Sequence, residues 1–126
     1  MTKKNGQIGR GLKMSYKKYE ILLINYDPSV GMEITKTRPN IVISSDIYNK
    51  LSNQLIAAPI TSVYRQWGTR IDIDTKKTKG QIALDQMRNI SSVRIVKKLD
   101  ILKDEETKKK ITETLEIIFE WGDSML

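Results

Sequence analysis

The apolar residues of this chain come in short runs, and that feature narrows its fold more than any other. "YEILLINY" (19–26), "NIVIS" (40–44) and "LIAAPIT" (55–61) are rich in isoleucine and bounded by turn residues. Such runs are too short for a membrane span or a long core helix, and they read as buried strands. Strands are therefore expected over Tyr19–Tyr26, Pro39–Ser44 and Leu55–Thr61. "RIDID" (70–74) alternates strictly, which turns Ile71 and Ile73 inward. Gly80–Asp85 and Val93–Leu99 complete six expected strands. "DPSVG" (27–31) and "TKKTKG" (75–80) supply turn chemistry. Pro39 is placed at a strand start and Pro59 at an edge or a bulge, because proline lacks a ladder donor. "SSDIYNKLSNQ" (44–54) reads as a short helical turn with a Ser or Asp cap.

One long amphipathic element closes the chain, a helix expected over about 104–121. Asp104 can cap it, Glu105 and Glu106 suit its positive end, and Ile111, Leu115, Ile118 and Phe119 form an apolar stripe. Glu105–Lys109 and Glu106–Lys110 are spaced to pair, and Gly122 stands where the helix can stop. The stripe is expected to be core or to pair two copies. Several short strands followed by one helix predict a mainly β domain, a small antiparallel barrel. With 126 residues one domain is expected, over 18–126, behind a basic arm at 1–17.

The chain has no cysteine and no histidine. A disulfide framework and a thiolate zinc site are excluded, and catalysis must rely on carboxylates, hydroxyls, Lys, Arg, Tyr or main-chain groups. No apolar span and no signal peptide are evident, so a cytoplasmic protein without membrane contact is expected. Residues 1–18 carry six basic and no acidic residues, whereas residues 104–126 carry three lysines and seven acids. A net charge of +7 that lies on the arm and body suits a nucleic acid or an acidic partner, and equally suits ordinary solubility.

Three segments occur in order: "GMEITKTRPNIVIS" (31–44), "APITS" (58–62) and "LDQMRNISSVRI" (84–95). Together they resemble the MazF/PemK family of toxin endoribonucleases from type II toxin–antitoxin systems, over roughly residues 19–120. The resemblance implies an SH3-like barrel of the MazF/PemK/CcdB type with a C-terminal helix, acting as a homodimer. It implies sequence-specific cleavage of single-stranded RNA, often messenger RNA, with no metal or other cofactor, and a cognate antitoxin whose acidic segment fills the RNA groove. By the motif match Arg38 and Thr61 are the catalytic pair, and Glu33, Asp85, Gln86 and Arg88 stand around the site or a dimer interface. The chain departs from the pattern in its basic arm, in Tyr19-Glu20 where a Gly-Asp pair is usual, and in Ala83, where some members place an arginine. Without histidine, a His-assisted mechanism is excluded.

RNA cleavage without metal uses the 2′-OH as nucleophile and yields a 2′,3′-cyclic phosphate and a 5′-OH. It needs a proton acceptor, a proton donor and positive charge for the phosphorane. The fork of Arg38 can bind two phosphate oxygens, and Pro39 restricts its backbone. Thr61 can donate to phosphate, as can Ser62. Glu33 is one candidate base and Asp85 another, although Glu33 can simply pair with Lys36, and Asp85 can cap a turn or pair with Arg88. Lys36 adds positive field. Tyr64, Arg65 and Trp67 form a cationic aromatic loop able to stack unpaired bases or to pack on the barrel. Asp72 and Asp74 share a strand face without a third ligand, so no metal is expected. Two other readings remain: a non-catalytic barrel that poisons gyrase by protein contact, and a degenerate RNA binder.

Overall fold

The computed structural model describes residues 15–26 and 37–120. Residues 1–14 of the basic arm, and Gly31, Glu33 and Lys36 of the first loop, lie outside the described residues, as does Gly122. The elements run β1 (Glu20–Asn25), β2 (Thr37–Val42), α1 (Asp46–Ser52), β3 (Gln54–Thr61), β4 (Arg70–Asp74), β5 (Lys79–Ala83), β6 (Arg88–Ser91), β7 (Ile95–Ile101) and α2 (Glu105–Phe119). Single 3-10 turns at Leu84–Gln86 and Ser92–Arg94 flank β6. The strands form an antiparallel sheet in the order β4-β5-β3-β2-β1-β7, with β6 also on β3.

The consecutive apolar runs are explained by burial on both faces. Ile21, Ile41, Ile43, Ala58 and Ile60 join Ile71, Ile73, Ile82, Leu84 and Ile111 in one core cluster. Their alternate neighbours Leu22, Ile24, Val42, Leu55 and Ala57 join Ile90 in a second cluster across the sheet. Successive side chains of a strand point to opposite faces, so a strand between two cores must be apolar throughout. β4 is covered on one face: Ile71 and Ile73 are buried, while Asp72 and Asp74 are exposed.

Two proline expectations need correction. Pro39 is the third residue of β2, opposite Leu23, rather than its first. Pro59 lies inside central strand β3, not on an edge. One side of β3 pairs with β2 over Ala57–Pro59; the other pairs with β6 up to Ala57 and with β5 from Ile60. Pro59 stands where the partner changes, a position with little need of a ladder donor.

The helix ends follow local chemistry. Ser45 caps α1, accepting from the Tyr48 N–H at 3.1 Å. Asp104 caps α2, accepting from the Thr107 N–H at 3.0 Å. On α2 the ion pair found is Glu105–Lys108 at 3.3 Å, one residue closer than the expected spacing. The apolar stripe is only partly used: Ile111 is buried and Leu115 packs on the core, whereas Ile117, Ile118 and Phe119 are exposed. The helix stops at Glu120, whose left-handed backbone caps it through an N–H to the Glu116 carbonyl. No helix among the described residues is long and apolar enough to cross a membrane.

Candidate active site

The pleat of the sheet leads from the second core cluster to a polar cleft. Along β1 one face reads Leu22, Ile24 and then Tyr26 just past the strand; along β2 it reads Val42, Asn40, Arg38. Along β3 it reads Leu55, Ala57, Pro59, Thr61, and along β6 Ile90, Arg88. The cross-strand pairs Leu22–Asn40, Ile24–Arg38, Asn40–Pro59 and Ala57–Arg88 hold these rows side by side. Each row therefore begins in the core and ends polar at the same edge. Tyr26, Arg38, Pro59, Thr61, Val63, Arg65, Arg70, Gln86 and Arg88 enclose a cleft of about 380 Å³. Four of them are arginines, and no carboxylate among the described residues lines it.

Arg38 is exposed in this cleft, and its main chain is held from below. The fully buried Asn40 donates from Nδ2 to the Arg38 carbonyl at 3.1 Å, and its Oδ1 accepts from the Tyr26 hydroxyl. Burial pushes the Tyr26 phenol above its ordinary value of 10.0; the Asn40 hydrogen bond and the charges of Arg88 and Arg38 pull it down without cancelling that effect. Tyr26 is thus a neutral donor near neutral pH, with the Arg88 guanidinium 5.0 Å from its ring centre.

Thr61 ends β3. Its Oγ1 accepts from the Val63 N–H at 3.0 Å, which leaves the hydroxyl's own proton available to an oxygen in the cleft. Its main chain lies tight against β5, where a Cβ on Gly80 would come within 2.5 Å of the Thr61 carbonyl oxygen.

Arg70 was not singled out from sequence, because it reads as an ordinary strand residue of "RIDID". Its side chain is 5 % exposed; Nε donates to Asp85 Oδ1 at 2.9 Å, and its guanidinium lies 4.6 Å from the Trp67 ring. Asp85 also accepts from Thr69 Oγ1 at 2.9 Å. Burial raises the Asp85 pKa, but the bonds from Arg70 and Thr69 outweigh it, and the carboxyl is held below its ordinary 3.8. Asp85 thus pairs with Arg70, not with Arg88. Tyr26, Pro59 and Val63 also escaped sequence reasoning; the period-two rows were the one signal able to place Tyr26 beside Arg38.

Of the residues expected at a site, the cleft gathers Arg38, Thr61, Arg65, Gln86 and Arg88. Trp67 stands behind it, stacked on Arg65 at 5.6 Å as well as on Arg70. Ser62 and Asp85 do not line it, and Tyr64 lines a separate depression with Asp72, Lys79 and Asp104. Glu33 and Lys36 lie outside the described residues. Among the described residues no group of three acidic side chains is arranged to hold a metal.

A small antiparallel β domain with a C-terminal helix and an arginine-lined cleft at the end of its central strands is an architecture suited to an anionic ligand. The chain belongs to the PemK-like, MazF-like toxins of type II toxin–antitoxin systems, whose family model matches residues 17–119. It is 33% identical over 110 residues to the endoribonuclease EndoA of Bacillus subtilis (strain 168), covering 82% of this chain and 94% of that protein. Its fold is similar to the MazE–MazF crystal structure (form II) from Deinococcus radiodurans, with a TM-score of 0.71 and 17% identity over 86% of this chain and 98% of the other. A mycobacterial endoribonuclease in complex with its cognate antitoxin is similar too, with a TM-score of 0.70 and 15% identity over 85% and 97% of the two chains.

Proposed function

We propose that this chain is a toxin endoribonuclease that cuts single-stranded RNA in the arginine cleft, without metal and at short sequences. The observation that carries this reading is the convergence of Arg38, Arg65, Arg70 and Arg88 on one cleft with the hydroxyl of Thr61. Arg70 is already paired with Asp85, and the charges of Arg38, Arg65 and Arg88 in a confined space favour a polyanion and, more strongly, a phosphorane that gains charge as it forms. The similarity to EndoA supports the same reaction class.

The RNA supplies its own nucleophile. The 2′-oxygen loses its proton and bonds to the adjacent phosphorus. The bond to the 5′-oxygen breaks, and that oxygen takes up a proton, leaving a 2′,3′-cyclic phosphate and a 5′-OH. Arg38 holds the non-bridging oxygens by its planar fork, and Thr61 donates a third hydrogen bond. Arg88 and Arg65 extend the field along the strand, and Trp67 offers a stacking face. Glu33 is the candidate proton acceptor. Asp85 suits that role poorly, because the bonds from Arg70 and Thr69 that hold its pKa down also weaken it as a base.

The same charge suits an acidic antitoxin segment lying in the cleft as a competitor of RNA. The exposed Ile117, Ile118 and Phe119 at the end of α2 suit a second copy of the chain. The deciding experiment is a cleavage assay on a long RNA with EDTA present. Cuts at a few short sequences with cyclic phosphate ends are expected. RNA left intact at high protein concentration would overturn the reading.

A further inference from the structure

Gln81 has no part in the chemistry just described, yet its side-chain amide is one of the most fully engaged polar groups near the cleft. It is 6% exposed on β5, directly opposite Thr61 on β3 and Asp72 on β4. Its Oε1 accepts from the Arg65 N–H at 2.9 Å, and its Nε2 donates to the Arg65 carbonyl at 3.1 Å and to Asp72 Oδ1 at 3.0 Å. Both main-chain groups of Arg65 are therefore met by one side chain, as a neighbouring strand would meet them. Elsewhere the loop between β3 and β4 is tied near its ends and by stacking: the Val63 N–H donates to Thr61 Oγ1 at 3.0 Å, the Arg70 N–H donates to the Trp67 carbonyl at 3.0 Å, and the Trp67 ring lies 4.6 Å from the Arg70 guanidinium. Residues 62–68 are exposed, so burial does not hold the loop in place.

We propose that Gln81 is a positioning residue for substrate recognition: it clamps the Arg65 main chain and thereby sets where the Arg65 guanidinium and the Trp67 ring meet the RNA. The proposal rests on the endoribonuclease reading. Because Gln81 faces Thr61 across the ladder, it ties the recognition loop to the strand end that bears the hydroxyl, fixing the distance between the two. Only an amide of this length supplies an acceptor and a donor to one residue while also satisfying Asp72. Leucine keeps the volume and supplies neither, and glutamate keeps the acceptor but loses both donors and faces Asp72.

The test compares Gln81→Leu and Gln81→Glu with the parent protein. Steady-state cutting of a short RNA is expected to show KM raised about tenfold, the loss of one to two net hydrogen bonds, with kcat within about twofold and a broader set of cut sequences. Tryptic nicking after Arg65 is expected to quicken in both variants while thermal unfolding still shows one cooperative transition. An unchanged KM and nicking rate in both folded variants would overturn the clamp. So would a parallel fall of kcat and kcat/KM with KM unchanged, which is the mark of a role at the reacting phosphate. A parent protein that cuts no RNA would sink the ribonuclease reading instead, and the nicking comparison would still decide whether Gln81 holds the loop.

Discussion

Arg38 gains its value from its neighbours. Pro39 follows it, Asn40 holds its carbonyl, and Tyr26 holds Asn40 in turn. In the proposed mechanism, replacing Arg38 by alanine removes its fork to the charged transition state, and replacing Thr61 removes one hydrogen bond to it. The expected loss is about two to three orders of magnitude in single-turnover cutting, with thermal stability unchanged. Tyr26→Phe should act differently. It leaves the Asn40 Oδ1, in a fully buried side chain, without its donor, at a cost of about 1–3 kcal/mol read from urea unfolding. Asp85 predicts a pH effect. Its carboxyl titrates lower folded than unfolded, so its contribution to stability is complete above the ordinary value of 3.8 and disappears as pH falls through the folded value. Asp85→Asn should therefore be less stable than the parent at neutral pH, and urea midpoints of the two should converge as the solution is acidified below that range. A constant gap down to the most acidic buffer would contradict the Arg70 pairing.

At the scale of elements, what could be read from the chain depended on the kind of signal. β4 matched the alternation of "RIDID" residue for residue, and the Asp104 cap of α2 was legible because capping is local chemistry. β6 was missed. "RNIS" has one apolar residue, Ile90, and lies between two 3-10 turns, so no period shows; it is a strand because β3 offers it an edge. Pro59 misled for the same reason, since the change of partner on β3 is a property of three strands together. Of the cleft residues, Arg38 and Thr61 were expected from the motifs, whereas Arg70 became visible only when the sheet set it opposite Ala83 and beside Asp85. β5 has a further role. A methyl on Gly80 would meet the Thr61 carbonyl at 2.5 Å, and main chain must move to relieve it. Gly80→Ala is expected to cost about 1–3 kcal/mol and to slow cutting at saturating RNA, as Thr61 is displaced. Unaltered kcat in that variant would show that the strand end tolerates the shift.

The whole molecule presents its charge in an ordered way, with arginines gathered in the cleft and acids collected toward the C-terminal end. RNA binding should then weaken steeply with salt. For single strands each neutralised phosphate contributes a slope of about −0.7 in log affinity against log salt, so contacts from Arg38, Arg65 and Arg88 predict a slope of about −2. Arg88→Ala should make it shallower by about one contact, measured with an RNA blocked at the 2′ position, and deletion of 1–17 should weaken binding at low salt more than cutting at saturating RNA. A parent slope near zero would contradict the electrostatic account. The central place of β3 also governs when the protein becomes dangerous. β3 waits for partners that end at Ser91, and β1 waits for β7, which ends at Ile101. A chain emerging from the ribosome in order holds Arg38 and Thr61, on the paired strands β2 and β3, before it holds Arg88 on β6 and the β7 strand that covers β1. The complete arginine cleft therefore forms only after β6 and β7 have been made, and a nascent chain that stops short of them carries its candidate residues without the site.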